Sequence, residues 1–256
     1  MLEPRPPGVV LSLYQNNHMP LFFTLSPYTL RCRLLWAYLL MGSIFLLHGY
    51  VGKAQSQALT ANEACRKIAE SHGIEAWPKV QEVRFTFSVQ LPDRQVERRW
   101  RWLPGYQKVT LLADDPADER TYQRSEQLSD MEKKLDAMFI NDQYWLLFPF
   151  HLVWDTGFEA EWAPEAEAPI SGEPMHRLTV QYNAEDGYTP GDAYDLFVDD
   201  DFIVREWIYR KGGGEEPSRV TTWEGYEEVM GMKIATEHRA PEGSNFMIQI
   251  RELVVH

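Results

Sequence analysis

Val83-Arg84-Phe85-Thr86-Phe87-Ser88-Val89-Gln90-Leu91 decides the fold class: Val83, Phe85, Phe87, Val89 and Leu91 alternate with Arg84, Thr86, Ser88 and Gln90. Side chains along a strand point to opposite faces in turn, so this stretch has one apolar and one polar face, as in an antiparallel sheet lying on a core. Pro92 and Asp93 end it, and Val96, Arg98, Trp100 and Trp102 then share one side of a second strand. Pro104 and Gly105 turn the chain into a third, residues 106–112. Further strands are expected at 178–182, 194–198, 202–209, 219–223, 230–237 and 246–254. The turn signals between them are Asp186 with Gly187, Pro190 with Gly191, the Asp199 to Asp201 run, Gly212 to Gly214, Gly225, and Pro241 with Gly243. Links this short exclude parallel βαβ units, whose crossovers need about a dozen residues. The expected fold is mainly β (α+β): a single large curved antiparallel sheet of about nine strands, forming an incomplete β-barrel closed by two helices.

The helices show in the caps. Thr60 with Glu63, and Ser129 with Glu132, each form a capping box, in which hydroxyl and carboxylate satisfy free amides at a helix start. Ala61, Ala64, Cys65, Ile68 and Ala69 follow the first at helical spacing, and Gly73 supplies a left-handed stop. Met131, Leu135, Met138 and Phe139 form the stripe of the second helix, which is expected to stop near Asn141 and Asp142. Residues 144–154 (YWLLFPFHLVW) are strongly apolar, and Pro149 argues against one continuous helix or central strand through them. They are expected to be buried or to line a cavity. Residues 159–174 are rich in Glu, Ala and Pro and read as a surface loop with room for an edge strand.

Arg31 and Arg33 precede the uncharged 14-residue run 34–47 (LLWAYLLMGSIFLL). Crossing a bilayer takes about 20 apolar residues, whereas an export signal needs roughly 7 to 15. Residues 1–58 are therefore read as a signal peptide and leader that is removed, with cleavage near Ala58 and Met19 as an alternative start. Residues 59–256 form one domain, exported to the periplasm or the extracellular space. Its sole cysteine is Cys65, so no internal disulfide is available, and the thiol reads as a small core residue. The whole chain carries 25 basic against 38 acidic residues, net −13. Nucleic acid, which requires a positive surface, is disfavoured as a partner.

No G-x-S-x-G, H-E-x-x-H or glycine-rich phosphate loop is present. His72, His151, His176, His238 and His256 lie far apart in sequence. His151, inside the apolar run, is the least ordinary, and its bland reading is a ring satisfied by the backbone. Asp199, Asp200 and Asp201 raise calcium, but the EF-hand spacing and closing Glu are missing, so a hairpin turn is preferred. No metal or cofactor is expected.

Several patterns occur together: His72-Gly73 and Trp77 before the first strand; Asn141-Asp142-x-Tyr144-Trp145-Leu146-Leu147-Phe148-Pro149-Phe150; Gly191-Asp192-x-Tyr194 ahead of Trp207 and Tyr209; and Thr221-Thr222-Trp223-x-x-Tyr226 with Gly231. In combination they resemble a family of secreted bacterial proteins of unknown function whose fold is similar to the LolA/LolB lipoprotein carriers. The resemblance runs from about Thr60 to Val254. It implies a half-barrel with an apolar cavity for acyl chains and transfers no individual functional residue; the anchor cysteine of the LolB type is missing. On this ground, and because a curved sheet of this size with only two helices is not expected to fill its own concavity, a cavity is favoured over a filled core. Phe85, Phe87, Trp100, Trp102, Tyr144, Trp145, Phe148, Trp207 and Tyr209 are the residues expected to line it. The expected ligand is a hydrophobic small molecule or acyl chain, with a membrane or lipoprotein met transiently and no chemistry performed. The alternatives are an envelope hydrolase assembled from dispersed His and Asp or Glu, and a protein-interaction scaffold.

Overall fold

β1 (Val83–Gln90) lies between β2 (Gln95–Leu103) and β12 (Met247–Val255), antiparallel to both. Phe85 and Phe87 face the core, as the alternation requires, and Thr86 and Ser88 on the other face are also buried. Long polar side chains of the neighbouring strands close over them: Thr86 donates to Glu252, and Ser88 bonds Gln95 and Glu97. The computed structural model describes residues 59–125, 127–184 and 190–256. The export segment and the Asp186-Gly187 turn lie outside them. Among the described residues no helix is long and apolar enough to cross a membrane.

β3 (Lys108–Leu112) and β4 (Arg120–Gln123) continue outward from β2, while β11 (Met232–Arg239) and β10 (Glu224–Val229) continue from β12. Together these make a seven-stranded sheet in the order β10-β11-β12-β1-β2-β3-β4. The other strands, β5 (Phe158–Glu167), β6 (Pro174–Tyr182), β7 (Ala193–Val198), β8 (Val204–Arg210) and β9 (Arg219–Thr222), form a five-stranded meander. Every neighbouring pair is antiparallel. The curved sheet is thus divided into two ladders between β9 and β10, which are consecutive in the chain. Trp223 is the one residue between them; its amide donates to the Arg205 carbonyl and its ring is buried. The sheets are not closed into a barrel, and the architecture is an incomplete β-barrel with helices. Twelve strands are seen among the described residues. The additions are β4, β10 and β5, which is the edge strand for which the Glu- and Pro-rich 159–174 stretch left room.

α1 (Ala61–Ser71) has both hydrogen bonds of its capping box and buries Ala64, Cys65, Ile68 and Ala69 against α2 and strands β5 and β6. Burial lifts the Cys65 thiol to about 11, which suits a packing role. Gly73 ends the helix at φ 85°, and a Cβ there would lie 2.1 Å from the Gly231 carbonyl oxygen, so the turn after α1 is closed on the β10–β11 hairpin.

α2 runs from Asp130 to Trp154, so the helix does not stop at Asn141 and Asp142. It breaks at Leu147 (φ −132°, ψ 22°) and resumes. Pro149 falls in the first turn of the resumed piece, where a missing N–H has no helical acceptor to lose. The proline does interrupt a single straight helix, but both sides are helical. That conformation lets the apolar run satisfy its own backbone polar groups while buried.

Candidate functional site

α2 lies between the two sheets, held to the seven-stranded one by charge and to the five-stranded one by rings. Asp142, fully buried, accepts from Arg98 Nε at 2.6 Å and Nη2 at 2.5 Å and from Trp100 Nε1 at 2.7 Å. One turn and a half earlier, Asp136 accepts from the Tyr122 hydroxyl and Arg124 Nε, each at 2.8 Å. These bonds explain why Arg98 shares a face with two buried tryptophans. On the other side Trp145 meets Trp207 (centroids 4.6 Å apart) and Phe148 meets Tyr194 (4.7 Å).

Two cavities flank the helix, and both reach Ile140 and Tyr144, one turn apart. The smaller, about 470 Å³, is walled by Phe87, Val89, Trp145, Tyr194, Trp207, Phe246 and Ile248, with Arg98, Asn141, Asp192, Tyr209, Ser218 and Arg219 among its polar members. Its size lies within the roughly 300 to 1,000 Å³ of small-molecule sites. Most of its polar groups are used internally: Arg98 holds Asp142, and Asp192 accepts from the Tyr209 hydroxyl (3.0 Å) and the Gly212 amide (2.7 Å). Burial and that carboxylate push the Tyr209 phenol up to about 12.

The larger cavity, about 800 Å³, pairs an indole wall of Trp77, Trp102 and Trp154 with a polar one. At the centre of the polar wall, Asp155 accepts from the Tyr144 hydroxyl (2.8 Å), the Tyr182 hydroxyl (2.7 Å) and His151 Nδ1 (2.9 Å). Burial raises this carboxyl, yet the bonds from His151, Tyr182 and Tyr144 outweigh that and hold it below the ordinary carboxylate value. His151 Nε2 lies 2.9 Å from Gln143 Oε1, so both ring nitrogens are taken by side chains and not by the backbone. This is a closed network, not a base awaiting a substrate.

Of the nine aromatic residues singled out in the sequence, Phe87, Trp145, Trp207 and Tyr209 line the smaller cavity, Trp102 the larger, and Tyr144 both. Phe85, Trp100 and Phe148 are walled in and line neither. Sequence reading missed Phe246, Ile248 and Arg219 in the smaller cavity, and Asp155 and Tyr182 in the larger, where Trp154 belongs to the run expected to be buried or to line a cavity. Tyr182 is brought to Asp155 by the β5–β6 register, which pairs it with Phe158 and which no local pattern signals. Asp199 serves its turn, as expected: its carboxylate accepts from the Asp201 and Ile203 amides and pairs with Arg205. Among the described residues no group of three or more His, Cys, Asp or Glu could hold a metal ion.

No family model matches the chain, nor does any curated protein sequence. Among solved structures it is similar to a DUF1329 family protein from Desulfovibrio piger, at 13% identity and a TM-score of 0.47, covering 76% of this chain and 91% of that one. It is also similar to a LolA superfamily protein from Nitrosomonas europaea, at 10% identity and a TM-score of 0.45, covering 78% and 94%.

Proposed function

We propose that residues 59–256 form an exported, non-catalytic carrier of the cell envelope that holds an acyl chain in the smaller cavity. The observation that carries this reading is the wall itself: rings from β1, α2, β7 and β8 face one space, with Ile248 and Phe246 completing it. Each methylene moved from water onto such a wall contributes about 0.8 kcal/mol before entropic losses. The engagement of both His151 nitrogens within the protein supports binding over hydrolysis. Periplasmic or extracellular residence and removal of residues 1–58 belong to the same proposal and rest on the sequence.

The test is titration with a fluorescent fatty acid. Wild type is expected to bind saturably at one site. Ala137 is exposed on α2 and lines the cavity, so Ala137→Trp fills the space without touching the core and should abolish binding with melting temperature unchanged. A wild type that shows no saturable binding, or a variant that binds as well, overturns the reading.

A further inference from the structure

Arg219 opens β9 and lines the smaller cavity, half-buried, with its guanidinium carbon 3.8 Å from the Phe246 ring centroid. The other arginines that line the two cavities are neutralised: Arg98 by Asp142 and Arg124 by Asp136. Arg219 has no acidic partner among the described residues; its contact is the ring. The acid that lines the same cavity, Asp192, spends its two oxygens on the Tyr209 hydroxyl and the Gly212 amide. An unmatched cation beside a greasy wall is out of character in a chain with 38 acids to 25 bases. The guanidinium lies over the Phe246 ring, and no hydrogen bond from its N–H groups is seen among the described residues; a guanidinium's N–H fork grips a carboxylate or phosphate with paired bonds. The adjacent Ser218 hydroxyl accepts from the Lys211 amide at 3.0 Å, which leaves its own proton to donate.

We propose that Arg219 is the headgroup anchor of this site, and that the ligand is an anionic amphiphile: an acyl or alkyl chain against Phe87, Trp145, Trp207 and Ile248, with a carboxylate or phosphate on the guanidinium. This rests on the carrier reading and adds to it a charge requirement that a purely apolar cavity would lack.

The experiment is calorimetric titration of the protein, below micelle-forming concentrations, with dodecanoate, dodecyl phosphate, dodecanol and dodecyltrimethylammonium, which share one chain. One or both anions should bind roughly 10- to 100-fold more tightly than dodecanol, since a hydrogen bond to a charged group is worth that much. The tighter of the two names the headgroup. Arg219→Gln should bring the anions down to dodecanol and leave dodecanol unchanged, and Arg219→Lys should keep part of the preference. Dodecanol or the ammonium binding as tightly as the anions, or a uniform loss in Arg219→Gln, would remove the anchor and leave the carrier standing. If none of the four binds, both fall. The headgroup ranking on wild type decides the matter even if the variants fail to fold.

Discussion

The two cavities beside α2 differ in a way that volume does not predict. The larger is the more elaborate, but its charges are matched: Asp155 takes three donors, His151 is held at both nitrogens, and Arg124 is paired with Asp136. The smaller has mostly apolar walls and retains one arginine that has no acidic partner among the described residues. A polar network satisfied by its own members stiffens the protein and leaves little for a ligand to claim. Rings with a single uncommitted charge beside them do the opposite. The proposed recognition site is the one whose bonding is left incomplete.

The severest way to break this contrast is to convert a matched charge into an unmatched one. Arg98→Leu leaves the Asp142 carboxylate fully buried with only neutral donors, and removing one partner of a buried pair costs about 3–5 kcal/mol. Urea denaturation should show that loss, and a cost below 1 kcal/mol would mean that water replaces the guanidinium easily.

Two histidines carry the contrast into pH. His151 behind the larger cavity is fully bonded, whereas His238 behind Trp145 and Trp223 is fully buried, with neither ring nitrogen properly bonded. Burial lowers His238 to about 3, with the Thr222 and Trp145 backbone opposing weakly. Unfolded histidine titrates near about 6.5, so below that pH the unfolded chain takes up the proton and the native state does not. Stability is therefore complete above pH 6.5 and falls, by about 1.4 kcal/mol per pH unit for this residue, down to its folded value. His72, lowered to about 4 mainly by burial, adds a loss of the same sign. His238→Leu should recover roughly 2–3 kcal/mol of the loss between pH 6.5 and 4.5 and be near neutral at pH 7. An unchanged acid slope would show that His238 is hydrated in the native state.

How much of this was legible in the sequence follows from the range of the forces. Period-two alternation and capping boxes act over a few residues, so β1, β2 and the starts of both helices could be read directly from Val83 to Trp102, Thr60 and Ser129. The path of α2 beyond Asp142 could not. Pro149 reads as a barrier until one knows that Leu147 leaves helical geometry just ahead of it and turns the proline into a helix-start residue. Aromatic content pointed to ring-lined space, yet which rings face it depends on β-ladder register and on α2, so Phe85 and Trp100 could not be told from Phe87. Arg219 stood in a strand whose composition is unremarkable; its meaning comes only from the acid that is missing beside it.

Asp155 sharpens the matched side at intermediate cost. Asp155→Asn keeps the shape but weakens the bonds from Tyr144, Tyr182 and His151, for about 2 kcal/mol, since bonds to a charged acceptor are worth roughly 1.5–3 kcal/mol. Its folded pKa lies below the unfolded value of about 3.9, so this stabilisation is present above that pH and disappears as pH falls through the folded value. The gap between wild type and variant should close on acidification from pH 5 to 2.5. A gap that stays constant would mean that shape alone, not charge, holds the network.

The smallest expected effect is the most telling. Arg219→Gln removes a cation that no acid neutralises among the described residues and keeps part of the side chain over Phe246, so stability at pH 7 should fall by no more than about 1 kcal/mol. Set beside Arg98→Leu, this compares two arginines of one cavity, one structural and one spare. A cation–π contact of this kind contributes about 0.5–1 kcal/mol where it is solvent-accessible. A measured loss well beyond that range would place Arg219 in the fold's own bonding and make the two cavities alike, each with its charges spent.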